Sequence, residues 1–221
     1  MSDIFREVDE EVRRDKAQEI WRKHGPKFIA AALLFIASVA GWQFWQSQQL
    51  KQRAAAGAAF EAAIAEANGD KPEAQASLTA LSAGRSGSYP ALSRIRLASE
   101  MARTAKDDAA RANAISAFDA IAADSALPNE WRELAKLRAG LLLVDSAPLA
   151  EIEKRLSPLI SANGIFRHSA REGVALSAWR HKENAKALDA LQAIILDAET
   201  PQGLRQRAEL PLAVVRAGPI R

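Results

Sequence analysis

Hydrophobic residues follow two patterns along this chain. From Phe28 to Trp45 they run almost without interruption, with no charged side chain in 18 residues. As a helix rising 1.5 Å per residue such a run spans ~27 Å, close to the ~30 Å hydrocarbon core of a bilayer. Its Phe, Ile, Leu and Val residues each favour insertion by roughly 0.3–0.6 kcal/mol, a sum on the order of 2.5–5 kcal/mol. Elsewhere the apolar positions recur three or four apart, the spacing of one helix face. Such stripes pass through Leu92, Ile95, Ala98 and Ala102, then Ile115, Phe118 and Ala122, then Trp131, Leu134, Leu137 and Leu141. They continue through Ile152, Leu156 and Ile160, through Val174 and Ala178, through Leu188, Leu191 and Ile195, and through Leu204, Ala208 and Val215. No segment alternates with period two, and Val and Thr are sparse. The pattern predicts an all-α chain: one N-terminal transmembrane helix, then stacked helical hairpins.

Charge gives the span a direction. Arg13, Arg14, Lys16, Arg22, Lys23 and Lys27 precede it, whereas the matching window beyond it holds Lys51 and Arg53. Positive flanks stay in the cytoplasm, so the N-terminus is expected there and everything after Trp45 across the membrane. Trp42 and Trp45 then fall at the outer interface and Trp21 near the inner one, where indole rings settle. A cleaved signal peptide is the rival reading, since Ser38-Val39-Ala40 offers small residues at a peptidase's spacing. Against it stand a long, acid-rich leading segment and an apolar run that continues past the cut. Ala37 and Gly41 form a small-xxx-small pair, a motif that lets two spans approach.

Four regions follow. Residues 1–27 form a short amphipathic segment, with Ile4, Phe5, Val8, Val12, Ile20 and Trp21 mostly on one face, Asp3 as cap and Gly25-Pro26 as stop. It reads either as a cytosolic docking face or as a helix lying along the membrane. Residues 28–45 are the span. Residues 46–88 form a polar, alanine-rich stalk that packs through Phe60 and Ile64 and stops at Asn68-Gly69-Asp70. A second helix carrying Ala74, Leu78 and Leu81 completes a hairpin before the breaker Ala83–Ser88.

Residues 89–221 repeat. The sixteen residues from Asn113 to Pro128 align without a gap on Lys186 to Pro201, six of them identical, at an offset of 73 residues. Leu92-Ser-Arg-Ile-Arg-Leu-Ala98 echoes Leu134-Ala-Lys-Leu-Arg-Ala-Gly140. Trp131-x-x-Leu134-Ala135 resembles the opening of a tetratricopeptide repeat, and Ala114-x-x-x-Phe118 followed by Pro128 its close. One hairpin cannot bury its own stripe, so successive pairs must stack. Pro158 should kink or break the helix from Leu149 to Ile160. The unit from Tyr89 to Leu127 is longer than a standard repeat, which makes the array degenerate.

Composition removes most chemistry. The chain has 221 residues, 30 Lys plus Arg against 27 Asp plus Glu, and no cysteine. Its basic residues are dispersed and not interleaved with aromatics, which argues against nucleic acid. Without cysteine there is neither disulfide nor thiolate metal site. The histidines His24, His168 and His181 have no ligand spacing and read as surface or helix-end residues. No phosphate-cradling loop or nucleophile elbow is present. Trp131 and Trp179 fit repeat cores, and the Glu-Lys-Arg and Arg-His-Lys-Glu runs fit solvated faces. No catalytic, metal or cofactor residue is expected, and no small-molecule substrate. Arg96 and Arg138 occupy matching repeat positions and are the candidate partner-binding residues. They would sit on a concave surface formed by the first helix of each pair. An enzyme on a helical scaffold stays open, to be recognised by an enclosed pocket with convergent His, Asp or Glu.

The juxtamembrane helix, the span ending Gly41-Trp42-Gln43-Phe44-Trp45, the alanine-rich stalk and the Leu-x-x-Ile-Arg-Leu-Ala opening together resemble the ancillary Sec-translocon subunit family. Pro201-Gln-Gly-Leu-Arg-Gln-Arg-Ala208 is similar to that family's last repeat. The resemblance implies a bacterial inner-membrane protein with a tetratricopeptide-like periplasmic domain. It implies a non-enzymatic scaffold beside the translocon, with translocon subunits, periplasmic chaperones and exported polypeptides as partners. The alternative is a membrane-tethered regulator whose N-terminal helix sequesters a cytosolic signalling protein.

Overall fold

The structure is a computed structural model. It describes the backbone of residues 3–84 and 88–217 and the side chains of residues 21–31, 33–84 and 88–217. The Asp3 cap and the stripe from Ile4 to Ile20 lie outside the described side chains, as do Arg85, Ser86 and Gly87 of the breaker. Among the described residues every regular element is helical. Two compact units are present, Met1–Ala56 and Gly57–Arg221.

From Asp3 on, the first unit is part of α1 (Asp3–Asn68), a single helix of 66 residues. The stop expected at Gly25-Pro26 is not there, and Pro26 lies inside the helix. Proline removes one N–H from the ladder and weakens it locally, but a helix this long keeps its other bonds on both sides. From Phe28 to Trp45 the described side chains are exposed. The one polar hydroxyl near mid-span, Ser38, donates to the Leu34 carbonyl at 2.8 Å, so its own helix satisfies it.

The second unit begins in the last turns of α1 and continues through α2 (Ala74–Ser82), α3 (Tyr89–Thr104), α4 (Asp108–Ala123), α5 (Asn129–Leu143), α6 (Leu149–Leu156), α7 (Arg167–Arg180), α8 (Asn184–Leu196) and α9 (Gln202–Ala217). Each helix from α2 onward packs on the next, and α5 also touches α7 and α7 touches α9. This is the nearest-neighbour stacking of a repeat array. The core is accordingly three clusters in sequence: Ala98, Phe118, Ile121, Ala135 and Ala139; then Leu137, Val144, Ile152, Leu156, Leu159 and Ala170; then Leu149 of α6 with the face of α7 to α9 from Ala175 to Val215.

Local signals explain the breaks. α1 ends at Asn68, and Asp70 turns the chain at φ 54°, a left-handed conformation that Asp tolerates better than most residues. Asp107 caps α4, its carboxylate accepting the Ala110 N–H at 2.7 Å. α6 stops at Leu156, and Ser157–Leu159 continues as one 3-10 turn containing Pro158. That is the break expected at the proline. Alanine and glycine set the spacing. Ala63, Ala98, Ala114, Ala135, Ala139, Ala170, Ala178 and Ala187 are fully buried, which brings helices close together. At Gly140 a Cβ would meet Leu156 Cδ2 at 2.5 Å, and at Gly173 it would meet Leu156 Cδ1 at 2.7 Å. Leu156 is thus wedged between α5 and α7 at the two positions where neither helix carries a side chain.

Some stripe positions come out differently. α8 buries Ala187, Leu191 and Ile194, so the helix is turned slightly from the face through Leu188 and Ile195. Trp131 is half-buried, but Trp179 is 42% exposed. The inward face of α7 belongs to Ala170, Ala175, Ser177 and Ala178, with no room left for an indole. Leu141 is likewise exposed.

Candidate protein-interaction surface

The three tryptophans flanking the span are open. Trp21, Trp42 and Trp45 are 63%, 66% and 55% exposed, and the rings of Trp42 and Trp45 lie 5.5 Å apart in a tilted pair. None of the most apolar stretch of α1 is buried, and the helix is long and apolar enough to cross a membrane.

In the second unit the two candidate arginines have different surroundings. Arg96 is half-buried, and its Nη2 donates to Asn68 Oδ1 at 2.8 Å. Arg138 is exposed and makes no ion pair among the described residues. It borders a cleft of about 160 Å³ whose other walls are Ser99 and Ala102 of α3, Phe118 of α4, and Leu141 and Leu142 of α5. The Ser99 hydroxyl is occupied, donating to the Ile95 carbonyl at 2.9 Å. The cleft therefore has an apolar floor and one cation at its edge. Such a site takes an apolar side chain while pairing a carbonyl or carboxylate, and it carries no nucleophile and base in register. Among the described residues no group of three or more His, Asp or Glu side chains is placed to hold a metal.

Two features had not been expected. The first is an ion pair that recurs with the repeat. Arg94 Nη1 lies 2.6 Å from Asp124 Oδ2, and Arg167 Nε lies 3.2 Å from Asp197 Oδ2. Both members shift by the same 73 residues as the aligned segments. Each aspartate ends the second helix of its pair and accepts an N–H two residues on, from Ala126 at 3.1 Å and from Glu199 at 3.0 Å. Each arginine comes from the first helix of the same pair, so the clasp fixes the hairpin closed. In the later copy Arg171 adds a bond of 3.0 Å. Together Arg167 and Arg171 hold the Asp197 carboxyl well below the usual carboxylate range, as the Arg94 bond lowers Asp124. The signal was present in the alignment, where Asp124 and Asp197 are two of the identical positions, but the partners 30 residues upstream were not paired with them.

The second is His168. It sits at a helix end as expected, yet it is buried, with Nδ1 3.0 Å from Thr200 Oγ1. The Thr200 hydroxyl itself donates to the Ile194 carbonyl at 2.6 Å, so it accepts from a neutral Nδ1–H. The repeat equivalents of His168 and Thr200 are Ile95 and Leu127, both packed in the first core cluster. One repeat closes with an apolar contact and the other with a hydrogen bond.

The family model for the tetratricopeptide repeat-like domain matches residues 18–187. The chain belongs to this family. The match covers most of the chain, from the approach to the span into α8. A curated relative, the ancillary SecYEG translocon subunit of Haemophilus influenzae, is 27% identical over 71 residues, 32% of this chain and 35% of that protein. The aligned part is thus about a third of the relative's length. No solved structure matches the chain. The tetratricopeptide repeat-like assignment accounts for the sequential core clusters and the recurring clasp, and it agrees with a protein-interaction role. The candidate span and the translocon-associated relative mark a membrane protein.

Proposed function

We propose that this protein is a non-enzymatic, membrane-anchored scaffold acting beside the Sec translocon, where its repeat domain receives exported polypeptides and passes them to periplasmic chaperones. What carries the reading is the combination of a repeat domain built for protein contacts with an apolar span in one chain, supported by the likeness to an ancillary SecYEG translocon subunit. The N-terminus faces the cytoplasm and the repeats face the periplasm, in line with the basic residues before the span. Trp21, Trp42 and Trp45 rest at the membrane interfaces. Arg138 and its apolar cleft hold one short stretch of an extended client, with Arg96 on the neighbouring first helix as a second contact. Weak contacts suffice, because the anchor raises their effective concentration near the channel.

The absence of cysteine makes the test direct. Glu10→Cys and Gln202→Cys should be labelled by an impermeant maleimide from opposite sides of the inner membrane, the second from the periplasm. A photo-crosslinker replacing Arg138 should capture translocon subunits or translocating chains. Labelling of Gln202→Cys from the cytoplasm alone, or crosslinked material containing neither a channel subunit nor a translocating chain, overturns the reading.

A further inference from the structure

Where α4, α5 and α6 meet, the charges do not balance. A cleft of about 230 Å³ opens there, lined by Asp119, Lys136, Lys154, Arg155 and Pro158. Arg155 is committed, its Nη1 2.9 Å from Asp119 Oδ1 and its Nε 2.8 Å from Glu151 Oε1. Asp119 and Glu151 in turn hold the Arg155 guanidinium fully protonated, with its pKa raised. Lys136 and Lys154 are exposed, and neither takes part in an ion pair among the described residues. The carboxylates closest to them in sequence are occupied. Glu153 accepts from Lys186 Nζ at 3.0 Å, and Glu133 accepts from the Asn129 amide at 2.7 Å. Two ammonium groups without an ion-pair partner among the described residues therefore share a concave surface with one fixed ion pair.

The size and lining decide what fits. The volume is below the ~300–1,000 Å³ of small-molecule pockets, which suits one or two side chains better than a cofactor. Pro158 is the only apolar residue in the lining, so the surface offers no apolar face to sink into lipid, as membrane-surface elements do. Lysine is a compact cation with three rotatable donors, suited to single carboxylates. The geometry points to an acidic stretch of a bound polypeptide, with Asp or Glu carboxylates paired to Lys136 and Lys154. This rests on the reading of the domain as a polypeptide-binding scaffold, but it is a separate site. Lys136 and Arg138 are two residues apart on α5, roughly 200° around the helix.

The test uses the full chain in uncharged detergent and a fluorescein-labelled oligoglutamate, read by anisotropy. Oligoglutamate should bind in preference to oligolysine and weaken with added salt. Lys136→Gln combined with Lys154→Gln should weaken it roughly three- to thirtyfold, with thermal melting unchanged because both side chains are exposed. Lys106→Gln, the same loss of charge at an exposed lysine outside the cleft, should leave this binding intact. Failure to bind oligoglutamate, or equal binding by wild type and the double variant, overturns the proposal. So does competition by inorganic phosphate at equal charge, which would make the cleft a general anion site, or by phosphatidylglycerol vesicles, which would make it a lipid contact. Failure of the translocon reading looks different: oligoglutamate still binds, while crosslinking from position 138 captures neither a channel subunit nor a translocating chain.

Discussion

His168 shows how much one side chain changes when a repeat position switches from apolar to polar. Burial, reinforced by the Arg167 charge, pushes its imidazole below its ordinary range. The fold therefore holds the neutral ring, while the unfolded chain takes up a proton below a pH of about 6.5. In that window the unfolded state binds more protons, so stability rises with pH. The contribution of His168 should be complete above that pH and be lost as the solution is acidified. Thermal melting across the pH range on either side of that value should show this slope. His168→Ile with Thr200→Leu, which copies Ile95 and Leu127, should flatten it while preserving the fold. Thr200→Ala alone leaves Nδ1–H without a partner and should cost about 1–3 kcal/mol. The clasp aspartates act in the same sense, in a lower pH window. Asp197 and Asp124 are lowered by their arginines, so their contribution is lost only as pH falls below the ordinary carboxylate value.

At the level of the helix, packing is set by what is missing. α5 and α7 approach Leu156 through Gly140 and Gly173, each too close to it for a Cβ. Leu156 is fully buried, so its methyls cannot swing into solvent to make room. In an exposed helix, Gly→Ala favours folding by roughly 0.5–1 kcal/mol. Here overpacking should win: Gly140→Ala or Gly173→Ala should destabilise by about 1–3 kcal/mol in urea unfolding followed by far-UV circular dichroism. Leu156→Val added to either variant should recover part of the loss, because it withdraws the methyl that clashes. A stabilised glycine variant would show that the helices can slide apart. Gly57 is used similarly, lying where a Cβ would come within 2.8 Å of the Tyr89 hydroxyl oxygen, and the ring of Tyr89 lies 5.6 Å from that of Phe60 in a tilted pair. The stalk residue Phe60 thus anchors the last turns of α1 to the first full repeat within the second unit.

Across the repeat domain, three core clusters rather than one mean that damage stays local. Phe118 is the largest fully buried side chain of the first cluster. Phe118→Ala should cost about 3–5 kcal/mol. Because each layer contacts only its neighbours, hydrogen exchange should speed up in α3, α4 and α5 and change little in α8 and α9. Uniform loss of protection over all helices would show instead a single cooperative core. Such layered stability suits a binding surface, since one layer can yield to a partner while the others hold.

Which features could be read from the chain follows from their range. The span, the helical periods, the stop at Asn68-Gly69-Asp70 and the break at Pro158 are decided within a few residues, by transfer energy, side-chain spacing and backbone φ. Even there, Gly25-Pro26 failed as a stop, because one missing hydrogen bond does not outweigh the ladder on either side. The 73-residue offset exposed the repeat, but not that Arg94 and Arg167 reach across their hairpins to Asp124 and Asp197. Nor did it show that Arg138 borders a cleft while Arg96 turns to Asn68, or that Trp179 faces outward. Those outcomes depend on how far each helix is rotated and how closely it approaches its neighbour. A rotation of a few tens of degrees costs almost nothing in local propensity. It is fixed only when alanine, glycine and Leu156 fill the spaces between helices, which is a property of the packed layers and of no single segment.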